Sequence, residues 1–267
     1  MEPLAASQRL GELIRRCPAC ATQVVFKIGE LPVTYVGPQT RTTYDLVRCG
    51  LCETVYLSPL PLWEDLNVIY QYKQFSYNED AVTAAMDFYV ERVRALLVQL
   101  GNPVRLSVLE VGAGLAWVSR AAKTVVPKSL TIAQDISPEC SAQCPWVDRY
   151  IVDSWESTDI DQLGPFDIVS MTHVIEHLPD PVATLRRLRP VTRGMVFLTA
   201  PHRPMSWDGS IEQWRAYAYN HVPAHLQYFS DEGMGRAAGA AGFSIARWDA
   251  TPEQGQAFEC WLTPTHL

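Results

Sequence analysis

Apolar residues alternate with polar ones near both ends of the chain and gather into short solid blocks in its middle. TQVVFKI and TYDLVRC alternate with period two, which predicts small strands with one buried face. LWEDLNVIYQ and DAVTAAMDFYVERVRALLVQL instead carry the helical period. In the second, Val82, Met86, Tyr89, Val93, Leu96 and Leu97 fall on one face. Past Asn102 and Pro103 the apolar blocks RLSVLEVGA, LTIAQDI, RYIVDS, FDIVSMTHV and MVFLTAP read as buried strands. They alternate with the helical segments LAWVSRAAKTV and DPVATLRRLRPV, and a later helix, DEGMGRAAGAAG, precedes a closing strand pair, FSIARWDA and QAFECWLTP. Strands alternating with helices predict an α/β fold built on a parallel sheet with helices on both faces. Three zones follow: a small module over 1–60, a helical connector over 61–100 placed to cover a ligand, and a Rossmann-like domain over 101–267.

Composition narrows the class. Of 267 residues, 48% are hydrophobic and 19% charged, the profile of a chain that buries a core. The formal charge of −7 and a pI near 5.4 oppose nucleic acid and anionic membrane surfaces. The N-terminal MEPLAASQRLGELIRR is broken by Gln8, Arg9, Glu12, Arg15 and Arg16, so no signal-peptide core is expected there. No stretch reaches the roughly 18 to 20 apolar residues of a membrane helix. A cytoplasmic protein is the expectation.

Four of the seven cysteines form two C-x-x-C pairs, Cys17/Cys20 and Cys49/Cys52, with 28 residues between them (49 − 20 − 1). Two residues between thiolates let both sulfurs face one tetrahedral ion, and two such knuckles make a closed structural zinc site. Residues 1–60 hold six Lys or Arg and five Asp or Glu, so this module has no phosphate-binding charge. Cys140, Cys144 and Cys260 lack any such spacing and read as packing residues.

The segment VLEVGAGLAW sets Gly112 and Gly114 directly after an apolar strand and before a helix, where bare backbone lets a ligand come close. A dinucleotide fingerprint would need a small residue at Trp117, which weakens a nicotinamide oxidoreductase reading. Asp135 ends the next strand, 21 residues after Gly114 (135 − 114), where a carboxylate can accept both hydroxyls of a ribose. Asp153 ends the third. The succession VLEVGAG, QDIS, FDIVSMTHVIEHLPDP and HLQYFSDEGMGRAAGAAGF resembles the class I S-adenosylmethionine-dependent methyltransferases over about residues 101 to 250. The resemblance implies that Glu110, Gly112 and Gly114 hold the methionine portion of the donor, and that Asp135 with Ile136 serves the ribose side. It also implies that Asp153 with Ser154 or Trp155 lies near the adenine, and that His173 lies beside the methionyl group. Ala116 stands where many members have a third glycine.

CPAC, then YDLVRCGLCETVYLSPLP, followed by Tyr70, resembles the N-terminal zinc ribbon of a subgroup that includes deoxysugar C-methyltransferases. That likeness implies a small-molecule acceptor, a role in natural-product biosynthesis, and a ribbon that shapes the acceptor pocket. Methyl transfer needs alignment and, for some acceptors, a base. The candidates are His173, Glu176, His177, His202, His221 and His225; the resemblance favours His177 and His225. Ala224 stands where the subgroup often has an acid. The aromatic stretch of Trp207, Trp214, Tyr217 and Tyr219 reads either as a lid or as a packing segment. An RNA methyltransferase using the zinc module, or a non-catalytic donor-binding scaffold, are the alternative functions.

Overall fold

The computed structural model describes residues 15–35, 39–72, 79–204, 206–250 and 257–265. In chain order, strands β1 (Val25–Pro32), β2 (Thr43–Cys49) and β3 (Val55–Ser58) are followed by helices α1 (Trp63–Tyr72) and α2 (Glu79–Gln99). Then come β4 (Ser107–Val111), α3 (Trp117–Val125), β5 (Leu130–Asp135), α4 (Pro138–Ala142), β6 (Arg149–Val152) and β7 (Phe166–Thr172). A short 3-10 turn at Ile175–His177 leads to α5 (Pro181–Leu188) and β8 (Thr192–Pro201). α6 (Ile211–Arg215), β9 (Gln227–Tyr228), α7 (Asp231–Ala240), β10 (Phe243–Asp249) and β11 (Ala257–Pro264) complete the set.

Seven strands form the main sheet in the order β10-β11-β8-β7-β4-β5-β6. The pairs β4–β5, β4–β7, β5–β6 and β7–β8 are parallel, as the alternating pattern predicts. β4 lies between β5 and β7, so the chain order reverses at its flank; open parallel sheets bind ligands beyond the strand ends at such a point.

The described residues fall into two compact units, one drawn from Met1–Lys73, Ile175–Arg186 and Ala200–Glu259, the other from Gln74–Val174, Arg187–Thr199 and Cys260–Leu267. In the second unit the predicted face of α2 is the buried one. Val93, Leu96 and Leu97 pack with Val108, Val118, Ile168, Phe197 and Trp261, while Met86 and Tyr89 are partly covered. Burying each of these aliphatic side chains contributes about 1.5–3 kcal/mol.

The first unit is not contiguous in sequence, and its hydrogen bonding shows why. β1, β2 and β3 pair antiparallel, and the fourth strand of their sheet is β9, with Val55 opposite Tyr228 and Tyr56 opposite Gln227. Its core joins Leu31, Tyr44, Leu46, Val55 and Leu57 to Trp214, Tyr217, Val222 and Tyr228. Trp214 is wholly buried, its ring edge-on to Tyr228 at 4.7 Å and to Tyr217 at 5.6 Å, so this part of the aromatic stretch is packing and not a lid. Ser230 caps α7 by accepting the Gly233 N–H at 2.9 Å and donates its own hydroxyl to the Cys52 carbonyl. Among the described residues no helix is long and apolar enough to cross a membrane.

Candidate functional site

The turn after β4 is built from left-handed residues at every second position: Gly112 (φ 59°), Gly114 (φ 50°) and Ala116 (φ 51°). Glycine adopts that region without strain and alanine does so at a cost of about 1–2 kcal/mol. At Gly112 there is a second reason for glycine: a Cβ would sit 2.5 Å from Cγ2 of Val174. Valine has little rotamer freedom with which to yield. Gly112→Ala is therefore expected to lose about 2–4 kcal/mol of stability and to weaken donor binding at least about tenfold. Thermal melting and calorimetry check both.

Side chains from β5, β6 and the loop before β6 stitch this turn in place. Tyr150 donates its hydroxyl to the Gly114 carbonyl at 2.7 Å, and Trp146 Nε1–H donates to the Ala116 carbonyl at 3.2 Å. Gln134 accepts from the Gly112 amide at 3.4 Å and donates to the Asp153 carbonyl at 2.6 Å, joining the tips of β4, β5 and β6. Sequence pattern alone missed the roles of Gln134 and Tyr150: Tyr150 belongs to no motif, and Gln134, though it opens QDIS, acts through strand register.

Glu110 has a position different from the direct donor contact that the resemblance implies. Its carboxylate is buried and accepts from Val118 N–H at 3.2 Å, Ser119 N–H at 2.8 Å and the Ser119 hydroxyl at 2.8 Å. It thus satisfies the start of α3 and holds the turn, a positioning role. Burial pushes its carboxyl up to about 7 against the pull of those donors. A carboxyl that binds its proton more tightly folded than unfolded stabilises most at low pH. Stability should fall as pH rises from about 4.5 to about 7, by on the order of 3 kcal/mol. Denaturation of the ligand-free protein across this window should show the slope, and Glu110→Gln should flatten it.

Asp135 ends β5 half-buried, with Oδ2 accepting the Gly114 amide at 2.8 Å and Oδ1 accepting the Ser137 amide at 2.9 Å. Each oxygen keeps a further lone pair for a ligand hydroxyl. Next to it Ile136 is 40% exposed, an apolar surface at a strand end. Asp153 is exposed at the end of β6 and accepts the Ser154 amide at 2.7 Å. Trp155 is buried, and the Arg187 guanidinium covers one face of its ring at 4.6 Å. His173 is exposed at the end of β7 in a left-handed conformation (φ 55°), its amide donating to the Thr199 carbonyl. The turn, Asp135, Ile136, Asp153 and His173 thus all stand at the ends of adjacent parallel strands.

The other candidate bases lie in the first unit. His177 and His225 meet edge to face at 4.8 Å between ring centroids, and His221 meets His225 at the same distance. Tyr219 stacks on His225 at 6.3 Å. Nδ1 of His177 lies 2.8 Å from the Ala224 carbonyl and Nδ1 of His225 lies 2.8 Å from the Tyr219 carbonyl. A carbonyl only accepts, so each imidazole carries a proton on Nδ1. Glu176 is wholly buried with Oε1 3.9 Å from His177 Nε2, so the cluster has an acid even though Ala224 offers none. Burial and the neighbouring His177 push His225 down to about 3, so it is neutral at working pH. His202 stands outside this cluster; its Nδ1 meets the Arg203 carbonyl and its ring packs on Trp248.

The four cysteines converge. Cys17 Sγ lies 3.6 Å from Cys52 Sγ, and Cys20 Sγ lies 3.5 Å from Cys49 Sγ. These separations exceed a disulfide bond and match the roughly 3.8 Å edge of a tetrahedron with bonds of about 2.3 Å to zinc. The Leu51 and Cys52 amides each donate to Cys49 Sγ at 3.3 Å. Hydrogen bonds from the Cys17 and Cys52 thiols, together with those amides, hold Cys49 well below the usual thiol range. The donor set is the one that zinc takes in closed sites.

Comparison with known proteins agrees with this geometry. A family model described as a methyltransferase domain matches residues 84–247, more than half of the chain. No curated protein sequence matches. Among solved structures the chain is similar to magnesium protoporphyrin IX methyltransferase from Synechocystis PCC 6803 with SAH bound, at 18% identity and TM-score 0.52, over 74% of this chain and 93% of that one. It is also similar to an S-adenosylmethionine-dependent methyltransferase from Clostridium acetobutylicum ATCC 824, at 7% identity and TM-score 0.51, over 67% and 91%. A third likeness is to a chain in the complex between the Haloferax volcanii Trm112 methyltransferase activator and the putative methyltransferase, at 14% identity and TM-score 0.50, over 70% and 95%. At such identities the likeness is one of fold.

Proposed function

We propose, since the chain belongs to the methyltransferase-domain family and is an S-adenosylmethionine-dependent methyltransferase, that it methylates a small molecule in the cytoplasm, in natural-product biosynthesis. The observation that carries the donor site is the turn of left-handed residues 112, 114 and 116, with carboxylates on the two adjoining strand ends. In this reading Asp135 accepts the ribose hydroxyls and Ile136 lies against the adenosine. Asp153, Ser154 and the Trp155 backbone meet the adenine. Gly112 and Gly114 let the methionine portion approach, with Glu110 fixing their turn and His173 at the methionyl side.

When bound, the donor supplies an electrophilic methyl carbon on a sulfonium. The acceptor's lone pair would take that methyl group as the carbon–sulfur bond breaks, with the neutral thioether as leaving group. The protein aligns the two and, where the acceptor carries a proton, assists its removal. His177, His225 and His173 are the groups assigned to that task, with Glu176 beside the first two. Cys17, Cys20, Cys49 and Cys52 would hold a zinc ion through four thiolates, which would serve to fix the ribbon. In functional terms 1–60 is a ribbon that shapes the acceptor pocket, 61–100 a connector that covers a ligand, and 101–267 the donor domain. The net charge of −7 supports a small acceptor over RNA.

The test is incubation with methyl-labelled donor and, in separate arms, a fractionated small-molecule extract and total RNA. Label in a low-mass product supports the reading. Label in RNA overturns the acceptor class, and donor binding without turnover in either arm favours the scaffold alternative.

A further inference from the structure

Glu176, His177 and His225 carry more than the geometry of a proton relay. One ligand atom from each lies within 4.8 Å of the other two, and all three residues belong to the same compact unit. A cation with ligand bonds of about 2.1 Å needs its donors roughly 3 to 4 Å apart, so the three side chains have to close inward on the ion. We propose that this trio is a second metal site, binding one divalent transition cation of the Zn2+ or Fe2+ type through two imidazole nitrogens and one carboxylate oxygen.

Three features support the assignment. First, both imidazoles are already oriented as ligands. Their Nδ1–H groups donate to the Ala224 and Tyr219 carbonyls at 2.8 Å, which leaves Nε2 as the coordinating nitrogen. Metal-bound histidines are characteristically fixed by such a hydrogen bond from the opposite ring nitrogen. Second, the donors are two imidazoles and one carboxylate that is 0% exposed, the mixed nitrogen and oxygen set that divalent transition cations take. Third, the surround is aromatic. Tyr219 stacks on His225, and Tyr228 lies edge-on to it at 6.0 Å, a setting that limits solvent at the metal.

The site differs in kind from the cysteine cluster. Four thiolates fill a tetrahedron, whereas two histidines and one carboxylate leave coordination positions open. An open position would take an oxygen or nitrogen of an incoming molecule. If the acceptor binds at this cluster, an assumption that rests on the function proposed above, the cation would hold and polarise the atom to be methylated in place of proton removal by His177 and His225, whose Nε2 atoms it occupies. Cation binding itself does not depend on that function.

The experiment uses the full-length protein with its cysteine site loaded with zinc, titrated with Co2+ alone and followed by calorimetry and visible spectroscopy. One further equivalent should bind, with weak d–d bands and without the intense charge-transfer absorption of a cobalt thiolate. In proton NMR of that species two exchangeable imidazole N–H signals, from His177 and His225, should be paramagnetically shifted; this readout needs no variant. Glu176→Gln, His177→Ala and His225→Ala should each weaken the added equivalent by more than about a hundredfold, beyond the 10- to 100-fold effect of losing an outer-shell partner. His202→Asn should leave it unchanged. Zinc content at the cysteines and the melting temperature of each variant separate lost ligands from lost fold. The proposal is overturned if no second equivalent binds, if cobalt shows only thiolate bands, or if the second equivalent survives His225→Ala in a folded protein. Loss of methylation with the cation still bound would count against the acceptor role and not against the site.

Discussion

Asp135→Ala protein is expected to bind S-adenosylmethionine and S-adenosylhomocysteine a hundredfold to ten-thousandfold more weakly than wild type. A hydrogen bond to a charged acceptor contributes about 1.5–3 kcal/mol, and two ribose hydroxyls would lose theirs together. Asp135 also accepts the Gly114 and Ser137 amides at 2.8 and 2.9 Å, so removing it loosens the turn that faces the ligand. Asp135→Asn, which keeps an acceptor and loses the charge, should fall between the two. Calorimetry with both nucleosides decides the matter. A variant dissociation constant within about threefold of wild type would remove Asp135 from the donor site.

The second large effect is expected at the knuckles. Cys49 carries the sulfur that both the Leu51 and Cys52 amides address at 3.3 Å, and serine offers a shorter, harder donor in its place. Cys49→Ser should purify with its zinc reduced to a trace. Leaving three mutually close cysteines without their ion should cost on the order of 3–5 kcal/mol, comparable with an uncompensated buried charge. At about 2–4 °C per kcal/mol for a chain of this size, the melting temperature should drop by roughly 10 °C or more. Elemental analysis showing full zinc in the variant, or an unchanged melting curve, would show that the ribbon does not depend on this ion.

What the sequence made legible is local. The β4 turn could be read because an apolar strand and two glycines are neighbours in the chain, and the left-handed angles at Gly112 and Gly114 are what that pattern requires. The cysteine site could be read because each knuckle is a four-residue unit. The buried face of α2 followed from helical period alone. Features that depend on distant partners were harder. Nothing near Trp214 in the chain announces that Tyr44, Leu57 and Tyr228 will enclose it, and so the aromatic stretch stayed ambiguous. Glu110 looked like a ligand contact because its place in the motif is known, whereas its hydrogen bonds to Val118 and Ser119 depend on how α3 turns back over β4. His177 and His225 were individually visible, but their meeting with His221 and Glu176 required the first unit to gather segments far apart in sequence.

The antiparallel sheet of β1, β2 and β3 gains its fourth strand only from Gln227–Tyr228, and Cys52 receives the Ser230 hydroxyl from just beyond it. During synthesis, therefore, the knuckles can capture their ion early, while β3 waits with an open row of amides and carbonyls until most of the polypeptide has left the ribosome. An edge exposed for that long invites pairing with another nascent chain. Yield in the cell should accordingly respond to translation speed and to chaperone supply more than the stability of the finished enzyme suggests.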